Sequence, residues 1–342
     1  MQVGILGYGY VGQAVHSTFT EVKGLDEKLE VQIFDPNIPK YCFYKNMKDF
    51  DMVFVCVGTP MKTDNTGECD SSNVINALDK LVKESFTGVV VIKSTVPFRT
   101  LANYTDKLRI IMVPEFLSQN TYIKDSRGNA KFLIGGLVED ALVYENFLKN
   151  FTIFRFRSDY VSEICTLEDA CNFKYIRNVY GAYQVLFWEM VQETTGKSRL
   201  MSRLLREFGL GSDMSQVGMD GKRGYDGACF PKDVAEWNHN NNHPLTRYLI
   251  GYNDYLKRTY NGEQKEIPGL EVKDYSRAKP VSKGGDTDPK WRPPRIGEEV
   301  KDLENKDSNN LETFGEFRKL RKKKPKEDQG EDYGTKVLLK LN

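Results

Sequence analysis

The chain has 342 residues, 28% charged and 39% hydrophobic, with a net charge of +1. That length suits two domains of about 100–200 residues and a tail, and the near-neutral balance supplies no global basic field for a nucleic-acid partner. No run of about 18 apolar residues predicts a membrane span, and no charged and apolar leader precedes the first strand-like run, so a cytoplasmic protein is expected.

In chain order, Val3 to Leu6 reads as a short strand that stops at Gly7, and residues 10–22 read as a helix. Val31 to Phe34 is a second strand, ending at Asp35. Met52 to Val57 is a continuous apolar run, as in a strand buried on both faces. Residues 72–84 are predicted helical. Val89 to Lys93 is another buried strand, followed by Ser94-Thr95-Val96-Pro97, where Pro97 suits the first turn of a helix capped by Ser94 or Thr95. Arg109 to Val113, Lys131 to Ile134 and Ile153 to Phe156 complete the strand series. Strands alternating with helices imply a parallel sheet with right-handed crossovers. Beyond residue 158 the texture changes to long helices over 160–208, a glycine-rich loop over 211–233 and a helix over 244–258. After Tyr260, Pro, Gly, Lys and Asp dominate, as in a polar, disordered tail. The expected organisation is α/β: an N-terminal doubly wound Rossmann sheet over 1–157, an all-helical domain over 158–258, and a tail over 259–342. The bulk of the long helices suits a homodimer seam. Six cysteines are scattered with no C-x-x-C pair, so no zinc site or redox dithiol is expected. Cys56 and Cys171 read as packing, as do Tyr180, Tyr183, Phe187 and Trp188.

Gly7-Tyr8-Gly9-Tyr10-Val11-Gly12 is G-x-G-x-x-G placed after a strand and opening a helix. Gly7 permits the tight turn, Gly9 lets backbone approach a pyrophosphate, and Gly12 lets helix and strand pack closely. The helix N-terminus offers free N–H groups to the phosphates. Asp35, at the end of the second strand, is placed to accept from a ribose 2′-OH and to repel a 2′-phosphate, which favours NAD over NADP.

Val57-Gly58-Thr59-Pro60, Ser94-Thr95-Val96-Pro97 and Pro114-Glu115-Phe116-Leu117 follow the third, fourth and fifth strands, where ligands of a parallel sheet bind. Far along the chain stands Gly227-Ala228-Cys229-Phe230-Pro231-Lys232-Asp233. In this order, and with Lys174-x-x-x-Asn178 between them, these segments resemble the UDP-glucose 6-dehydrogenase family of nucleotide-sugar dehydrogenases over about residues 1–255. The resemblance implies oxidation of a sugar C6 alcohol to a carboxylate with two NAD. On it, Cys229 is the nucleophile that adds to the aldehyde. Lys174 and Asn178 stabilise the oxyanion, and Asp233 orients a water or pairs with Lys174. Glu115 activates the hydrolytic water held by Thr95. The cofactor falls to Gly7, Gly9, Tyr10, Val11, Gly12, Asp35, Lys40, Thr59, Pro60, Ser94 and Thr95. The nucleotide sugar falls to Phe116, Leu117, Lys174, Asn178, Tyr225 and Gly227.

The chain departs from the family pattern at Asp226, where a glycine is usual, and at Gln119, where a second glutamate is usual. Asp226 is expected to repel a phosphate or to raise the thiol pKa. No strand–helix alternation follows Tyr260, as a second nucleotide-binding domain would require. Two alternatives stay open: a two-electron 3-hydroxyacid-type dehydrogenase, which has no need of Cys229, and a non-catalytic NAD-binding subunit.

Overall fold

A computed structural model describes residues 1–20, 28–64, 66–210, 217 and 221–262. The tail expected over 259–342 therefore lies outside the described residues from 263 onward, as do residues 211–216 and 218–220 of the loop expected over 211–233. Seven strands form one sheet in the order β2-β1-β3-β4-β5-β6-β7. They are β1 (Gln2–Leu6), β2 (Glu30–Phe34), β3 (Met52–Val55), β4 (Val89–Ile92), β5 (Arg109–Met112), β6 (Lys131–Gly135) and β7 (Val161–Cys165). The first five run parallel. The chain steps outward from β1 to β2, then crosses to the other side of β1 for β3, so the reversal point lies beside β1.

The two-residue alternation of the strands builds two cores. Val53 and Val55 of β3 and Val90 and Ile92 of β4 face one layer, with Leu78 and Leu81 of α2 (Ser72–Lys83), Leu101 of α3 (Phe98–Ala102) and Cys171. Met52, Phe54 and Cys56 with Val89 and Val91 face the other, against Tyr144, Phe147 and Phe151 of α5 (Val138–Phe151). Because both faces are covered, the central strands carry near-continuous apolar runs.

Four expectations are corrected here. The sheet is not wholly parallel, since β6 meets β5 antiparallel. The intervening helix α4 (Tyr122–Gly128) has only seven residues, a rise of about 10 Å. It docks on α1 (Tyr10–Ser17) through Tyr122 to Gln13 and Ser126 to the Ala14 carbonyl, and so does not carry the chain back along the sheet before β6. Residues 153–156, expected as a strand, form a 3₁₀ turn whose N-cap is Thr152, its hydroxyl accepting from the Phe154 N–H. The last strand among the described residues is β7, beyond the boundary drawn at 157, and Glu163 and its exposed positions hid it as an edge. Finally, neither Ser94 nor Thr95 caps α3: its N-cap is Pro97, and the Ser94 hydroxyl instead donates to the Val57 carbonyl at 2.7 Å.

Helix α6 (Leu167–Thr195) runs 29 residues, capped by Thr166 accepting from the Asp169 N–H and ended by Gly196 in the left-handed region. Its N-terminal turns close one sheet layer. Further along it packs with α8 (Phe230–Asn241) and α9 (Pro244–Asn261) through Ala182, Leu186, Val234, Leu249 and Leu256. A separate helix, α7 (Ser198–Glu207), follows it. Trp188 is buried as packing requires, whereas Tyr180, Tyr183 and Phe187 are exposed. Among the described residues no helix is long and apolar enough to cross a membrane.

Candidate active site

At the carboxyl ends of the parallel strands lies a cavity of about 880 Å³. Its floor is made in turn by Gly7, Gly9, Tyr10 and Val11 after β1, Asp35 after β2, Val57–Pro60 after β3, Ser94 and Thr95 after β4, and Glu115 after β5. Gly227, Ala228 and Cys229 close it from the side. The glycine turn and the cysteine segment, more than 200 residues apart in sequence, thus line one space.

The glycine turn is built as its spacing requires. Gly7 has φ +88°, and a Cβ there would stand 2.8 Å from the Cys56 carbonyl. A Cβ on Gly12 would stand 2.2 Å from the Gly7 carbonyl oxygen. Nothing lies within 4 Å of the Cβ position on Gly9, which is open to the cavity, and as N-cap of α1 it offers no side-chain cap. The N–H groups of that first turn are therefore available to an anion. Asp35 accepts from the N–H of Tyr8 at 2.7 Å and of Asn37 at 2.9 Å, which fixes its carboxylate at the edge of the cavity. The Thr59 hydroxyl donates to the Thr95 carbonyl at 2.9 Å, tying the third and fourth strand ends together. A cavity of this volume, with an open glycine at a helix N-terminus and an acid at the end of β2, fits a dinucleotide.

At the other end four elements converge on buried charges. Lys174, on α6, donates to the Glu115 carboxylate at 2.9 Å and to the Glu115 carbonyl at 2.6 Å, with both side chains buried. Burial pushes the Glu115 carboxyl up, but Lys174, the Leu117 N–H and Lys93 outweigh it and hold it below the usual carboxylate range. Asn178, one turn on, donates to Asp233 at 2.6 Å, and Lys232 pairs with the other oxygen of Asp233. Cys229 is the N-cap of α8 and is partly exposed. Burial pushes its thiol above the ordinary value. Asp233 and Glu115 push the same way, and Lys174 and Lys232 oppose them. Tyr10 of the glycine turn lines the cavity with Cys229, and burial, then the nearby thiol and Glu115, push its phenol up.

Several expected site residues stand elsewhere. Lys174 and Asn178 face different carboxylates rather than one shared point, and the partner of Lys174 is Glu115, not Asp233. Tyr225 is 3% exposed, packed among Ala182, Leu186 and Leu249 with its N–H bound by Asn253, so no substrate reaches its ring. Phe116 and Leu117 line a smaller cavity of about 60 Å³ behind Glu115, not the large one. Lys40 is exposed and lies over the ring of Tyr41, outside the large cavity. Asp226 is held by Lys257 at 3.2 Å and Lys222 at 3.7 Å, which hold its carboxyl below the usual range against the effect of burial. Cys56 and Cys171 are buried, and burial pushes both thiols up to about 12.

Lys93 was not anticipated as a site residue. It stands one residue past β4, on the layer of Val89 and Val91, beside Cys56 and Glu115, and it lines both cavities. Its signal in the sequence is the lysine that ends the run Val89-Val90-Val91-Ile92, a cation where the alternation demands an apolar side chain. Lys232, inside the cysteine segment, also lines the large cavity and pairs with Asp233.

A parallel sheet that reverses beside its first strand, with a glycine turn at a helix N-terminus and an acid at the end of β2, is a dinucleotide-binding Rossmann domain. Within it, residues 16–151 match the model described as the UDP-glucose/GDP-mannose dehydrogenase family, NAD binding domain. The UDP-glucose 6-dehydrogenase of Rickettsia prowazekii is 26% identical over 229 residues, covering 63% of this chain and 50% of that protein. That of Drosophila melanogaster is 27% identical over 254 residues, covering 66% and 51%. The chain thus spans about half the length of these relatives. Among solved structures, the UDP-glucose dehydrogenase of Pyrobaculum islandicum superposes with a TM-score of 0.57 at 20% identity, covering 75% of this chain and 68% of that one. At this identity the likeness concerns the fold.

Proposed function

We propose that the chain is an NAD-dependent nucleotide-sugar 6-dehydrogenase that oxidises the C6 alcohol of UDP-glucose to the carboxylate through a covalent adduct on Cys229. The observation that carries this reading is the single cavity lined at one end by the glycine turn and Asp35 and at the other by Cys229 and Glu115. When bound there, NAD supplies a two-electron acceptor, and the full oxidation requires two of them. The N–H groups at the start of α1 take the pyrophosphate, and Asp35 takes the adenosine ribose.

The chemistry of the chain follows from the two ends of an aldehyde's problem. An aldehyde yields no second electron pair until a nucleophile adds to its carbon, and a thiolate adds well. Cys229 forms a C–S bond to that carbon, while Lys174 and Asn178, presented from successive turns of α6, turn from Glu115 and Asp233 to stabilise the oxygen that gains charge. After the second oxidation the adduct is a thioester. Water adds to its carbonyl, the C–S bond breaks, and Cys229 leaves as thiolate with the acid as product. Glu115 is a buried carboxylate that lines the cavity together with Cys229. Its pairing with Lys174 makes it a weak base at rest, so it acts once Lys174 has turned to the substrate oxygen.

The apolar stripe Phe173, Ile176, Tyr180, Tyr183, Phe187 and Met190 recurs along α6 at steps of three and four residues and is exposed throughout. That spacing is a helix-pairing seam, and it supports a homodimer about α6.

NADH production against a panel of UDP- and GDP-sugars, with the product mass measured, tests the assignment. Conversion of UDP-glucose with a mass gain of one oxygen and loss of two hydrogens is expected. Turnover of no nucleotide sugar would overturn it.

A further inference from the structure

Lys93 continues the alternation of β4 onto the layer of Phe54, Cys56 and Val113, and its side chain is 7% exposed. Glu115 alternates with Val113 on the same layer, and the two charged residues meet where the large cavity and the small one behind it touch. The nearest carboxylate, that of Glu115, already receives the amine of Lys174 at 2.9 Å. Two lysines thus flank one acid, and the buried cluster carries an excess positive charge at the Cys229 end of the cavity.

A fixed cation in such a place discriminates between the two states of the dinucleotide. The oxidised nicotinamide ring carries a positive charge and the reduced ring carries none, while the phosphates and riboses are the same in both. Water cannot screen a repulsion inside a buried site. The sulfur that must attack the sugar aldehyde lines the same end of the cavity, and the reacting ring has to stand there. We propose that Lys93 is a specificity-determining residue that weakens binding of NAD⁺ relative to NADH and so drives electron pairs from the substrate onto the cofactor. This rests on the reading that the cavity takes NAD.

The cofactor-binding cavity is tested in the absence of sugar, by titration calorimetry of the full chain with NAD⁺ and with NADH. The expected result is that Lys93→Met lowers the ratio Kd(NAD⁺)/Kd(NADH) about tenfold, equivalent to about 1.4 kcal/mol, while Lys93→Arg preserves it. An equal loss of affinity for both forms would overturn the proposal, because the lysine would then act on a part they share. An unchanged ratio would overturn it too, with the cofactor reading left standing. Binding of neither form by the unaltered chain would overturn both.

The unaltered chain supplies an arm that needs no substitution. The charged and titratable groups facing the Lys93 amine are Cys56 from the end of β3, Glu115 after β5 and Lys174 from α6. Burial pushes the amine down to about 8 against the pull of Cys56 and Glu115. As pH rises through that value the ratio falls toward that of Lys93→Met. A ratio that stays flat from about pH 6.5 to 9.5, a span that brackets the titration of the Lys93 amine, would contradict the proposal.

Discussion

Replacing Lys174 by methionine removes one partner of a buried ion pair and leaves a carboxylate behind. In the native chain the Glu115 carboxylate accepts from Lys174 at 2.9 Å and from the Leu117 N–H at 2.8 Å, and Lys93, lining the same cavity, also lowers its pKa. Breaking a buried pair by deleting one partner costs about 3–5 kcal/mol. Glu115 can escape that cost by taking up a proton. From an ordinary glutamate value of about 4.3, protonation at about pH 7.5 costs about 4.4 kcal/mol, and at about pH 5.5 only about 1.6 kcal/mol. Lys93 remains to compensate part of the charge, so Lys174→Met is expected to cost about 3 kcal/mol at the higher pH and less than about 1.6 kcal/mol at the lower. The sign agrees with linkage. The lowered native value of Glu115 gives stability that is present above the unfolded value and lost as pH falls through the folded one. The lesion removes that contribution, and its cost must shrink on acidification. Equilibrium urea unfolding followed by circular dichroism at the two pH values measures it. A cost below about 1 kcal/mol at neutral pH, or the same cost at both, would refute the assignment of a charged, paired Glu115.

Gly12→Ala should abolish measurable dinucleotide binding and lower stability by about 1–3 kcal/mol, since its Cβ would meet the Gly7 carbonyl oxygen at 2.2 Å; unaltered binding by calorimetry would contradict the close packing of α1. Asp233→Asn removes a group that raises the Cys229 thiol, so alkylation of Cys229 by iodoacetamide at neutral pH, followed by mass spectrometry, should quicken about threefold, and a slower reaction would reverse the electrostatic argument. Tyr180→Lys with Tyr183→Lys places two cations in the exposed seam of α6 and should yield a monomer in analytical ultracentrifugation at concentrations where the unaltered chain is dimeric; no change in mass would remove α6 as the seam.

The parallel half of the sheet was legible because its physical signals are local. Met52–Val55 and Val89–Ile92 are buried on both faces and read as apolar runs, and the glycine spacing fixes a turn that only glycine adopts at Gly7. The edge was not legible: Val161–Cys165 has exposed and charged positions, and Ile153–Phe156, more apolar, is a 3₁₀ turn. In the site, the segments quoted from the sequence do come to one cavity, but their partnerships do not follow from spacing. Lys174 and Asn178 share a helix face, yet each takes the acid that tertiary packing delivers, Glu115 from the segment after β5 and Asp233 from α8. Tyr225 shows the opposite failure. It sits in a glycine-rich segment beside the cysteine, yet its ring fills the core between α6 and α9.

The account turns on the sulfur of Cys229 at the end of the dinucleotide cavity. Its most direct test is the amount of NADH formed per molecule of UDP-glucose consumed, by the unaltered chain and by Cys229→Ser. Two per sugar for the first and no more than one for the second, with aldehyde trapped in place of acid, is the predicted outcome. Two per sugar from the serine variant, or one from the unaltered chain, would contradict it.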